Sequence, residues 1–144
     1  MKKNNSLSFF IPAKETGLDA ILINTGISAG FPSPAGDYKQ ERISLDKELI
    51  KNQEATFFAR VSGESMVNAG LEDGDLIIID RSIEPANNKI AVCYIDGEFT
   101  VKRLRVKKGK IWLQPENSKY QPIEIKEDNE LIIWGIVTNV VKKL

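Results

Sequence analysis

The chain has 144 residues, 20 of them basic and 20 acidic, with no histidine and a single cysteine. That length fits one ordinary domain plus an arm, and the balanced charge argues against a protein that holds nucleic acid by bulk electrostatics. One cysteine excludes an intramolecular disulfide, and without histidine a soft-ligand metal cluster is disfavoured, so neither metal nor cofactor is expected.

The start is basic, but Pro12, Lys14 and Glu15 break the apolar stretch a signal peptide needs. No run approaches the roughly 18 apolar residues of a membrane span. A cytoplasmic protein with no membrane partner is expected. Leu7, Phe9 and Ile11 alternate before Pro12 interrupts them, and Leu18, Ile21 and Leu22 fit a short amphipathic turn. In Ser28-Ala29-Gly30-Phe31-Pro32-Ser33-Pro34-Ala35-Gly36-Asp37, prolines and glycines preclude a continuous helix or central strand, which predicts an extended, accessible segment. Ser44 then caps a short predicted helix over residues 44–50.

From residue 55 onward the pattern is β. Strands are predicted over 55–61, 76–80, 89–95, 98–106, 111–113, 122–125 and 131–141. Asp96-Gly97 between the third and fourth of these is a dipeptide favoured in two-residue hairpins. The expectation is a mainly β fold: a compact domain of strongly bent antiparallel sheets behind an extended N-terminal arm.

Three features carry chemistry. In a strand, alternate residues share a face, so Thr100, Lys102, Leu104 and Val106 point one way while Arg103 and Arg105 point the other. A lysine held against apolar surface loses its charge more readily and becomes a base, whereas one that snorkels to water does not. Ser62 and Ser65 flank Gly63 and Glu64 ahead of a predicted helical turn over 66–70, closed by Gly70. Either serine fits an exposed nucleophile or an ordinary cap, and spacing leaves both open. Ala29-Gly30 offers a small, accessible bond to a protease, and equally suits a flexible linker.

Taken together, Gly30-Phe31-Pro32-Ser33-Pro34-Ala35, Ser62-Gly63-Glu64-Ser65-Met66, Asp73-Gly74-Asp75-Leu76, Asp96-Gly97-Glu98-Phe99-Thr100-Val101-Lys102-Arg103-Leu104 and Trp134-Gly135-Ile136-Val137 closely resemble the LexA/UmuD family of self-cleaving serine–lysine proteins, in the family's order. The resemblance covers residues 29–144 and implies a LexA-like C-terminal peptidase domain. It implies that the nucleophile is Ser65, the general base Lys102, and the scissile bond Ala29–Gly30. The amides of Glu64 and Ser65 would form the oxyanion hole, and Thr100 would orient the amine. The implied division is a removable arm (1–29), an extended linker (30–44) and the peptidase-like β-domain (45–144). The implied partners are a RecA filament on single-stranded DNA, a second copy in a homodimer, and the UmuC-type subunit of an error-prone lesion-bypass polymerase in the SOS response to DNA damage. Twenty-nine residues before the bond leave no room for a helix-turn-helix domain, so no direct sequence-specific DNA binding is expected. A non-catalytic β-domain with a regulated N-terminal tether is the competing reading; a signal peptidase of the serine–lysine class is disfavoured for want of a membrane anchor.

Overall fold

Segments rich in Ile, Val and Phe form the strands, and turns with left-handed residues set their pairing. The computed structural model describes residues 7–12, 19–23, 29–30 and 40–144. Lys2-Lys3, Leu18 and most of the proline-rich segment (31–37) lie outside the described residues. The chain divides into two compact units: Met1–Pro12 with Asn52–Leu144, and Ala13–Lys51.

The first unit is built on one antiparallel sheet. Its strands are β1 (Ser8–Phe10), β4 (Thr56–Arg60), β5 (Leu76–Asp80), β6 (Ile90–Ile95), β7 (Glu98–Lys107), β8 (Lys110–Gln114), β9 (Ile123–Glu124) and β10 (Leu131–Val141). The second unit holds β2 (Asp19–Ile23), β3 (Gln40–Ser44) and helix α1 (Leu45–Leu49). The sheet order in the first unit is β1-β4-β5-β10-β6-β7-β8-β9, so the last strand lies in the middle. β10 changes register between Ile133 and Gly135 and again between Val137 and Asn139. Such bulges bend a strand and raise its twist.

The predicted mainly β architecture is the one observed. The Asp96-Gly97 hairpin forms with φ of 48° and 88°, the two positive values a tight primed turn requires. Its two-residue loop fixes the pairs Ile95↔Glu98, Tyr94↔Phe99, Cys93↔Thr100 and Ala91↔Lys102. Of the amphipathic turn read from Leu18, Ile21 and Leu22, the last two lie instead in strand β2, paired with β3 from Asp19↔Ser44 to Ile23↔Gln40. Residues 40–44, read as the end of an extended segment, are extended but hydrogen-bonded into that ladder. Helix α1 follows Ser44 as predicted, although the serine side chain makes no capping hydrogen bond.

The first unit buries two apolar clusters. Ala59, Val61, Met66, Leu71, Ile77, Ile79, Val92 and Val101 form one. Ala91, Cys93, Leu104, Leu113 and Ile136 form the other. Each fully buried aliphatic side chain contributes roughly 1.5–3 kcal/mol against exposure. Gly135 is required by packing: a Cβ there would lie 2.5 Å from Ile79 Cγ2.

Candidate active site

Gly63 turns the chain after β4 with φ 92°, a conformation that suits glycine alone. The Asp73 carboxylate accepts the Gly63 N–H at 2.8 Å and ties this turn to the Asp73-Gly74-Asp75 loop. Met66, the residue after Ser65 and only 2% exposed, is buried in the first apolar cluster. A short 3-10 helix, Val67–Ala69, follows and ends at Gly70 with φ 83°. Asn117 donates to the Glu64 carbonyl at 2.8 Å from the opposite side. Ser65 is thus half-buried between two fixed neighbours, in a cleft lined by Val61, Ser62, Gly63, Met66, Thr100 and Val101.

Lys102 enters from β7. The register puts it opposite Ala91, next along the same face from Leu104, with Cys93 across from Thr100. This is the face that strand parity predicts. Val106, expected to continue it as apolar cover, is instead 45% exposed. The β6 ladder ends at Arg103; beyond it β7 pairs with β8, and its other side meets only the irregular segment Asn87–Lys89, through Leu104 and the Val106 N–H.

Lys102 is 8% exposed, and its Nζ reaches Ser65 Oγ at 3.0 Å, Thr100 Oγ1 at 2.5 Å and the Val101 carbonyl at 3.1 Å. Three neutral oxygens match the three protons of an ammonium. None supplies the negative charge that would hold the proton. Burial therefore pushes the Lys102 amine below its ordinary pKa, against a smaller opposing pull from Cys93. Cys93 is pushed up to about 12, chiefly by burial, so its thiol stays neutral. When Lys102 loses one proton, two N–H groups remain for Thr100 and Val101, and its lone pair can face the serine hydroxyl.

Ser65, Lys102 and Thr100 thus come together, with Glu64 directly before the serine. Ala29 and Gly30 lie in the second unit, exposed, on the connection between β2 and β3. Sequence reading missed the Val101 carbonyl, the Asp73 brace on Gly63 and the Asn117 tie to Glu64. The Asp96-Gly97 register would have pointed to Cys93 and Ala91 as neighbours of the Lys102 face. Among the described residues, no cluster of three or more His, Cys, Asp or Glu side chains suits a metal ion, and no helix is long and apolar enough to cross a membrane.

The sequence pattern of the Peptidase S24-like family matches residues 21–138. Protein MucA of Salmonella typhimurium is 42% identical over 114 residues, which span 78% of this chain and 77% of that protein. Protein ImpA of Shigella flexneri is 39% identical over 135 residues, 92% of each chain. LexA repressor 1 of Geobacter sulfurreducens is 35% identical over 119 residues, 82% of this chain and 58% of the repressor.

Proposed function

The chain belongs to the Peptidase S24-like family, with the LexA/UmuD likeness its motifs carry, and from that premise we propose that it is a serine endopeptidase acting on itself, with Ser65 and Lys102 cutting the Ala29–Gly30 bond. The observation that carries this reading is the 3.0 Å approach of a buried amine with only neutral partners to the Ser65 hydroxyl.

Neutral Lys102 takes the Ser65 proton as Oγ attacks the Ala29 carbonyl carbon. The N–H groups of Glu64 and Ser65 meet the developing oxyanion. The carbon–nitrogen bond then breaks, and Lys102 passes its proton to the departing Gly30 nitrogen. A water molecule, deprotonated by Lys102, splits the Ser65 ester, restoring the serine and freeing the Ala29 carboxylate. Thr100 and Val101 hold the amine in line throughout. The product is a 1–29 arm and a shortened chain in which the linker (30–44) leads into the β-domain (45–144).

In this reading the protein is cytoplasmic, and a RecA filament on single-stranded DNA stimulates the cut. The shortened homodimer then serves a UmuC-type lesion-bypass polymerase subunit in SOS mutagenesis. The likeness to MucA and ImpA supports this context. Incubating purified protein at alkaline pH, or with RecA, ATP and single-stranded DNA, followed by mass measurement, tests it. Loss of residues 1–29 is the expected result. An unchanged mass, or equal loss from Ser65→Ala, overturns it.

A further inference from the structure

Two strand ladders join residues on opposite sides of the Ala29–Gly30 bond. β1 pairs with β4 through Ser8↔Arg60, Phe9↔Ala59 and Phe10↔Phe58. β2 pairs with β3 through five residue pairs, Asp19↔Ser44 to Ile23↔Gln40. In each ladder the first strand precedes Ala29 and the second follows Gly30. Cutting the backbone at that bond breaks neither ladder.

The β1 ladder also has a side-chain anchor. The Phe9 ring packs edge-on against Phe99 at 5.0 Å and tilted against Trp134 at 4.8 Å. Its platform is held independently of the arm. Phe57 packs on Trp134 at 5.1 Å, Tyr94 on Phe99 at 4.9 Å, and the Arg81 guanidinium lies 4.4 Å from the Trp134 ring while Arg81 Nε donates to the Trp134 carbonyl. Leu7, one residue before β1, forms part of the wall of the cleft at Ser65. Main-chain pairing at a sheet edge supplies affinity, and pockets for alternate side chains supply selectivity. A three-residue strand binds weakly by itself. Two strands on one fragment, joined by residues 11–18, bind as a bivalent ligand whose second contact is intramolecular.

We propose that the edge of β4 with its aromatic platform, and the edge of β3, are strand-binding sites whose ligand is the chain's own arm, so that cleavage yields a nicked complex with fragment 1–29 still bound at two points. The proposal rests on Ala29–Gly30 being the bond that is cut. Cutting and release are then separate events, and the β4 edge becomes free only at the second.

The full chain is allowed to cleave at alkaline pH and is then examined by denaturing and native mass spectrometry and by gel filtration at micromolar concentration. Two denatured masses within one native species are the expected result. Phe9→Ala is expected to weaken retention of the fragment about tenfold, the loss of part of one buried aromatic contact. Immediate separation of the fragment from a folded body, or a Phe9→Ala fragment held as tightly as the native one, overturns the proposal. If the native chain does not cut itself, the cleavage reading fails. Retention is then read in Ser65→Ala carrying a site-specific protease sequence inserted after Ala29: co-elution after that protease acts supports the proposal, and separation overturns it.

Discussion

On β7, Lys102 faces two hydroxyls and a carbonyl; just past β10, Lys142 reaches the carboxylates of Asp75 and Glu72. Lys102 is buried and its pKa is lowered. Lys142 is raised, first by its hydrogen bond from Nζ to Asp75, which together with the charges of Asp75 and Glu72 outweighs the opposing effect of desolvation. At Asp75, burial alone would raise the carboxyl, but the hydrogen bonds from Lys142 and the Glu72 N–H outweigh it and hold it below its usual value. The same side chain thus gives up its proton more readily in one place and holds it more firmly in the other. What differs is the charge of its partners: neutral oxygens satisfy hydrogen bonds without retaining the proton.

The largest expected effect breaks the Lys102 side of that contrast. Lys102→Met should slow self-cleavage by about 10²–10⁴-fold, the usual share of a general base, measured by loss of residues 1–29 over time. Its thermal stability should hold or rise, because an amine buried without a counter-charge is removed. Next, Cys93→Asp makes the Lys102 setting more like that of Lys142. An ionised carboxylate near the amine should move the pH–rate curve upward by about 1–3 units, read from cleavage rates across neutral and alkaline pH. In the native protein that rate should climb as pH rises towards the amine's lowered pKa, then level off. A rate flat across this range would contradict a lysine base.

Thr100→Val should have a smaller effect. Losing one hydrogen bond of about 0.5–1.5 kcal/mol loosens the amine's aim and should cost cleavage roughly two- to tenfold, with the fold kept by circular dichroism. The smallest effect on chemistry belongs to Lys142→Met, whose cleavage rate should match the native protein. Its signature is in stability. The depressed Asp75 contributes stability that is fully present above its unfolded pKa and is lost as pH falls through its lower folded value. Acid unfolding of Lys142→Met should therefore begin at higher pH. Lys102 has the same sign of pH dependence in a higher window. Its folded pKa lies below 10.5, so the unfolded chain binds more protons between the two values, and stability rises with pH across that window.

Local signals made much of this legible. Alternation placed Lys102 on the face of Leu104, and Asp96-Gly97 carried the register that sets Ala91 and Cys93 beside that face. Gly63 and Gly70 bracketed the serine turn. The long-range parts were not legible. Nothing near residue 18 shows that β2 finds β3 some twenty residues later, because a short apolar run fits a turn or a strand equally well until its partner is known. The seating of Phe9 among Phe57, Phe99 and Trp134 depends on which strand occupies the β4 edge. The exposure of Val106 depends on where β6 stops. The choice of Ser65 over Ser62 came from the family resemblance, and the contact depends on Lys102, a β7 residue that follows the serine by 37 positions.

The central position of β10 bears on when the site can exist. β4 and β5, which lead into and out of the Ser65 turn, form one hydrogen-bonded group, and β6 and β7, which carry Lys102, form another. Among the described residues, β10 is the one strand whose ladders join them, pairing with β5 on one side and β6 on the other. Ser65 and Lys102 therefore belong to two half-sheets that no strand ladder joins until Leu131–Val141 pairs with both, so their 3.0 Å contact is made by the folding of the last strand.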